Sequence, residues 1–300
     1  MGKKTNVAIA IAAVTGAAWA SSKAISKPRS RLNHEALKYE QPIILAHRGG
    51  MALAPENSPI SFENAAKLGV HGFEIDLRLT KDEEIIVFHD ETLERVTNFS
   101  GKVADYTLEQ LKVADLGYHF ISLDGEHSFR DKGQQIMTLD DLLELYPQML
   151  ISMDIKDSPQ TYEGSLMPSK LWRLIEEKQA FKRVIVTSFY DEQIDRFNLY
   201  AQNNVALGAG EREVLKAYTA YTSQFKHLYH PKADVFQLPI KSNGFPLDHA
   251  SFIQFLSSLN IPVHYWTIND PVMMKRLLKN GAKGIITDRP DLAIEALKLD

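Results

Sequence analysis

Short β-branched runs recur along the chain: "IILA" at 43–46, "FEIDL" at 73–77, "LISMDI" at 150–155, "VIVTSF" at 184–189, "VALG" at 205–208, "VFQLP" at 235–239, "VHYWTI" at 263–268 and "GIITD" at 284–288. Most of the intervals between them carry helical patterns. Ser58 stands as an N-cap before "SFENAAKL", with Pro59 at the first helical position and Gly69 at the end. "TLEQLKVA" and "TLDDLLEL" each open on a threonine followed three residues later by a polar side chain. Eight strands alternating with helices over about 250 residues predict a closed parallel (β/α)8 barrel. An open doubly wound sheet is the runner-up, but "HRGGMALAP" after the first strand is not a G-x-G-x-x-G phosphate loop.

Two connections break the alternation. "RLTKDEEIIVFHD" after the second strand is too short for a helical crossover and reads as a hairpin turning at Asp82-Glu83. A two-residue loop there sets Asp76 opposite His89 on one face. The stretch 90–137 carries a helix but no barrel strand, and reads as an insertion on the C-terminal face of the barrel.

The strand period of two places chemistry. In "FEIDL", Phe73, Ile75 and Leu77 share one face, and Glu74 and Asp76 the other. The apolar set packs under helices, so the carboxylates enter the barrel, where a positive charge must balance them. "ISMDIK" repeats the pattern, with Ser152, Asp154 and Lys156 on the inward face. Three carboxylates from neighbouring strands make a site for a hard cation, Mg²⁺ or Ca²⁺. The competing reading is a structural ion-pair network with Arg48, Arg78 and Lys156. His47 ends the first strand and His89 ends the hairpin, positions that serve chemistry at the mouth of a barrel. Two histidines there can act as base and acid for one reaction. With Arg48 and Lys156 beside them, the pocket suits an anionic phosphate.

Bulk properties narrow the classes. A net charge of −4 gives no mark of a nucleic-acid binder, and the absence of cysteine excludes disulfides, thiol catalysis and cysteine-ligated zinc. The run "VAIAIAAVTGAAWA" at 7–20 follows Lys3 and Lys4 and is too short to span a bilayer. With the small-x-small "AWA" at 18–20 it reads as a signal peptide, predicting a secreted or membrane-associated extracellular protein. Lys23, Lys27, Arg29 and Arg31 oppose export, leaving an uncleaved membrane-associated helix, or a cytoplasmic protein, as the alternative. Residues 1–20 are thus set apart, 21–41 read as a polar linker, and 42–300 as the barrel domain.

The run "AHRGGMALAPENSPISFENAAKLGVHGFEIDLRLTKDEEIIVFHDETLERVTN", with "ISMDIKD", "VIVTSF" and "VHYWTINDPVMMKRLLKNGAKGIITDRPD", resembles the glycerophosphodiester phosphodiesterase family over nearly all of residues 43–296. The resemblance implies a metal-dependent TIM-barrel hydrolase that releases sn-glycerol 3-phosphate and an alcohol from a small glycerophosphodiester. It implies His47 and His89 as the acid/base pair, and Glu74 and Asp76 as metal ligands. Arg48 and Lys156 would hold the phosphate. Glu56 would complete the metal site or orient a partner, and Trp266 would wall the glycerol side. Asp154 stands where the family usually has glutamate; its shorter carboxylate would ligate directly or through water. Related venom-type phospholipases D carry Asp-x-Lys at this place, so a lysophospholipid substrate is the first alternative. A glycerol-phosphate wall polymer and a non-catalytic phosphodiester-binding barrel are the others, and the N-terminal segment favours association with a membrane or cell wall.

Overall fold

The computed structural model describes residues 17–26, 30–31, 34–223 and 225–298. Of the apolar run at 7–20, residues 7–16 lie outside the described residues; residues 17–25 are helical, and no described helix is long and apolar enough to cross a membrane.

Eight parallel strands form the barrel: β1 (Ile43–His47), β2 (Gly72–Leu79), β4 (Leu150–Ile155), β5 (Val184–Thr187), β6 (Ala206–Leu207), β7 (Phe236–Leu238), β10 (Val263–Tyr265) and β11 (Gly284–Thr287). The short β3 (Ile85–Val87) pairs antiparallel with β2, and β8 (Lys241–Ser242) with β9 (Phe245–Pro246) makes a separate hairpin. The sheet runs β6-β5-β4-β2-β1-β11-β10-β7, and a parallel bridge between Gly208 and Val235 joins its two ends. That closure excludes the open sheet. Phe73, Ile75 and Leu77 of β2, with Ile151, Met153 and Ile155 of β4, are buried in the core under the helices. The alternating residues turn inward, as the period-two pattern requires.

Local chemistry sets the entry from β1 into its helix. Ser58 and Ser61 form a reciprocal capping box, Pro59 opens the helix Pro59–Leu68, and Gly69 closes it at φ 84°. Before the cap, the chain doubles back through Gly49 and Gly50, both at positive φ; a Cβ on Gly49 would lie 2.2 Å from Ser61 Oγ. Only glycine fits so close an approach in that conformation.

Two expectations need correction. The hairpin loop has three residues, not two. Thr80 N donates to Glu84 O, and Glu83 takes a left-handed conformation at φ 65°. The register shifts by one, so Phe88 N, not His89, meets Asp76 O. Ile86 and Phe88 thereby face the insertion, whose own core they share with Leu93, Val103, Leu111 and Ile136. The polar linker also ends earlier than residue 41. Arg31 pairs with the buried Asp234 at 2.7 Å. Ala36 is buried, and Tyr39 Oη meets the fully buried His264 Nε2 at 2.6 Å. Residues 34–41 therefore pack against the barrel, where Tyr39 supplies the polar partner that a buried imidazole requires.

Candidate active site

A cavity of about 490 Å³ opens at the C-terminal ends of the strands. His47, Arg48, Glu74 and Asp76 line it from β1, β2 and the loop after β1, together with His89, Asp154, Lys156 and Trp266; of the sequence-predicted residues, Glu56 is not in the lining. Register explains the convergence. His47 pairs with Glu74 across β1 and β2, and Asp76 pairs with Asp154 across β2 and β4. Arg48 N extends the β1–β2 ladder by donating to Glu74 O, with Arg48 itself at φ 50°.

Glu74, Asp76 and Asp154 are all buried and offer carboxylate oxygens within 4.8 Å of one another. Cations of the protein balance them in part. Lys156 Nζ lies 2.5 Å from Asp154 Oδ2 and 3.0 Å from Asp76 Oδ1, and Arg48 Nε lies 3.1 Å from Asp76 Oδ2. Yet Glu74 Oε2, Asp76 Oδ1 and Asp154 Oδ1 accept no aligned hydrogen bond. For Asp76 Oδ1 the ammonium is thus a counter-charge without directional bonding. Burial pushes the Glu74 carboxyl up, and its neighbour Asp76 adds to this. Burial also works to raise Asp76, but Lys156 and Arg48 outweigh it and hold that carboxyl below the usual range. Three converging carboxylates, each with an oxygen that accepts no aligned hydrogen bond, fit a hard divalent cation.

The two histidines are each fixed by a carboxylate. His47 Nδ1 meets Asp288 Oδ1 at 2.6 Å, and Asn269 Nδ2 holds the other Asp288 oxygen at 2.8 Å. His89 Nδ1 meets Asp90 Oδ1 at 2.5 Å, and Arg78 Nε grips the His89 carbonyl at 2.9 Å. An ionised carboxylate only accepts, so each imidazole carries its proton on Nδ1 and leaves Nε2 free to exchange one. Burial works to lower the His47 pKa, but the bond to Asp288 and the charge of Glu74 outweigh it, and the net shift is upward. At His89 burial prevails over Asp76 and Asp90, and the pKa falls.

Glu56, expected to complete the metal site or to orient a partner, lies against guanidinium groups. It is not among the three converging carboxylates. Arg95 binds it with two parallel bonds of 2.7 Å, and Arg48 Nη1 adds a third at 2.9 Å. Its geometry is that of a partner for guanidinium groups. Trp266 lines the cavity edge-on to Phe189, with its Nε1 donating to Gln237 O at 2.9 Å.

Asp288, Asn269, Asp90 and Arg95 were absent from the sequence-derived set. Asp288 had a legible signal: it ends "GIITD", the last strand, and closing the barrel lays that strand beside β1. Arg78, which only the competing ion-pair reading set beside the inward acids, pairs with Asp157 at 2.9 Å.

The model of the glycerophosphoryl diester phosphodiesterase family matches residues 47–292. The chain belongs to that family. A curated glycerophosphodiester phosphodiesterase from Caldanaerobacter subterraneus subsp. tengcongensis is 31% identical over 259 residues, covering 85% of this chain and 98% of the relative. Among solved structures, the glycerophosphoryl diester phosphodiesterase domain of an uncharacterized Mycobacterium tuberculosis protein aligns at a TM-score of 0.73 and 19% identity, over 85% of this chain and 99% of that one. A phosphodiesterase from Oleispira antarctica, solved in complex with the product sn-glycerol-3-phosphate, aligns at a TM-score of 0.66 and 21% identity, over 86% and 97%. At such low identity these likenesses bear on the fold alone.

Proposed function

We propose that this family member hydrolyses glycerophosphodiesters to sn-glycerol 3-phosphate and an alcohol, with His47 and His89 as the acid/base pair. One observation carries the reading: two carboxylate-backed imidazoles and three buried carboxylates line a single cavity. Water attack on a phosphodiester needs a proton removed from the nucleophile and one delivered to the leaving alkoxide. The Nε2 atoms of the two imidazoles are the groups able to do both. Arg48 and Lys156 bring fixed positive charge to the phosphoryl oxygens, while Glu56 and Asp76 keep the Arg48 guanidinium in position. Glu74, Asp76 and Asp154 would hold a divalent cation, Ca²⁺ or Mg²⁺. Such an ion supplies charge stabilisation for the phosphoryl group.

A second reading, an acyl-bearing lysophospholipid, draws support from the apolar lining contributed by Phe189, Val214, Leu247 and Trp266. The N-terminal apolar run supports action outside the cytoplasm, at a membrane or wall surface; fractionation of cells that carry the tagged full chain tests this. For the reaction itself, purified protein is incubated with glycerophosphocholine, lysophosphatidylcholine or glycerol-phosphate polymer, and with Ca²⁺, Mg²⁺ or chelator. The expected result is metal-dependent release of glycerol 3-phosphate and choline from the first substrate. Undiminished turnover by verified metal-free protein would reject the carboxylate–metal assignment, and turnover of lysolipid alone would select the second reading.

A further inference from the structure

The two imidazoles are backed differently, and the support behind His89 extends much further. Asp90, which holds His89 Nδ1, is gripped by Arg95 through both oxygens: Nε to Oδ2 at 2.5 Å and Nη2 to Oδ1 at 3.1 Å. The same guanidinium forks onto both oxygens of the buried Glu56. Glu56 in turn binds Arg48, whose Nε faces Asp76. Charges alternate along the whole path, from Arg48 through Glu56, Arg95 and Asp90 to the imidazole of His89. Arg95, like Asp90, is drawn from the insertion beyond the hairpin, and its side chain is 45% exposed. An exposed ion pair by itself contributes little. A planar fork that serves two carboxylates at once is another matter, because it fixes their mutual orientation and lysine cannot reproduce it.

We propose that Arg95 is a positioning residue for diester hydrolysis. By bridging Glu56 to Asp90 it sets the orientation of the His89 ring, and so the direction in which Nε2 exchanges its proton. The insertion therefore completes the acid/base machinery as well as covering the hairpin. The proposal rests on the reading of His89 as a participant in hydrolysis, so its test has one readout independent of turnover.

Replacing Arg95 with alanine removes both forks. Partner groups behind a working imidazole typically carry roughly 10–100-fold in activity, and kcat for glycerophosphocholine should fall by that factor with KM and the metal titration nearly unmoved. Methylguanidinium added to Arg95→Ala should restore part of kcat, and Arg95→Lys should stay well below the parent. Combined with Asp90→Asn, the alanine variant should cost no more than Asp90→Asn alone, since both break one path. The Nδ1–H resonance of His89 should move in Arg95→Ala, and this readout needs no turnover, so it survives a failure of the substrate assignment. An unmoved resonance with normal kcat would overturn the proposal. A loss of activity recovered by raising the metal concentration would overturn it too, because Arg95 would then act through Arg48 and Asp76 on the cation site.

Discussion

Three inward histidines allow the mouth of the barrel to be compared with its floor. At the mouth, His47 and His89 each present Nδ1 to a carboxylate and leave Nε2 toward the cavity. At the floor, His264 is fully buried, meets Tyr39 Oη at Nε2, and has the Gln237 side chain near Nδ1 at 3.4 Å. Burial pushes the His264 pKa down to about 3, with no charged neighbour to resist it. The same residue type is thus prepared for opposite ends. A carboxylate partner and an open edge make an imidazole able to accept charge and pass it on. A phenol partner in a closed layer keeps it neutral and turns it into packing.

The comparison breaks first at the imidazoles themselves. His47→Ala and His89→Ala should each lower kcat by roughly 10²–10⁴-fold, the range for loss of an acid or base, in steady-state assays on glycerophosphocholine. Near-normal kcat in both would make the mouth pair as structural as the floor. A smaller effect isolates the carboxylate: Asp288→Asn keeps the shape beside His47 and removes the charge, and should cost about 10–100-fold in kcat while the protein still melts cooperatively. If Asp288→Asn matches the parent, the partner's charge is not what separates mouth from floor.

Asp154→Asn tests the third carboxylate. Its burial raises the carboxyl, and Lys156 opposes this. The expected effect is a rise of roughly 10-fold in the metal concentration for half-maximal activity, recoverable at saturation. A melting temperature that falls while the titration stays fixed would reduce Asp154 to an ion-pair partner of Lys156. At the floor the predicted effect is on stability alone. A lowered folded pKa means that the unfolded chain takes up a proton below about pH 6.5 that folded His264 refuses until about pH 3. The His264 contribution is therefore complete above pH 6.5 and shrinks as pH falls, by about 2 kcal/mol at pH 5. Denaturant titrations at pH 7 and pH 5 should show His264→Gln losing less between the two than the parent; equal losses would assign the acid sensitivity elsewhere.

Period-two alternation made the inward carboxylates legible, because Glu74, Asp76 and Asp154 sit between outward residues that are all apolar. The Ser58–Pro59…Gly69 helix was legible for the same local reason. What stayed hidden depended on geometry beyond local pattern. The hairpin register turned on a left-handed Glu83, a conformation that its residue type does not advertise. Polar residues between 31 and 41 looked like linker because their partners, Asp234 and His264, are more than two hundred positions away. Arg95 and Asp90 lie beyond the hairpin in a region with no barrel strand to give them a direction.

The pairing of the first strand with the last has a consequence for the order of synthesis. His47 and Asp288 are 241 positions apart, and Ile43 to Ala46 find their second neighbours in Gly284 to Thr287. A ribosome delivers both histidines, Arg95 and all three inward carboxylates long before it delivers Asp288. A chain still emerging, or one cut short at residue 283, holds nearly every group of the site and lacks the one that orients its first imidazole. The backing of His47 therefore waits for the eighth barrel strand, which brings Asp288 to it as it pairs with β1.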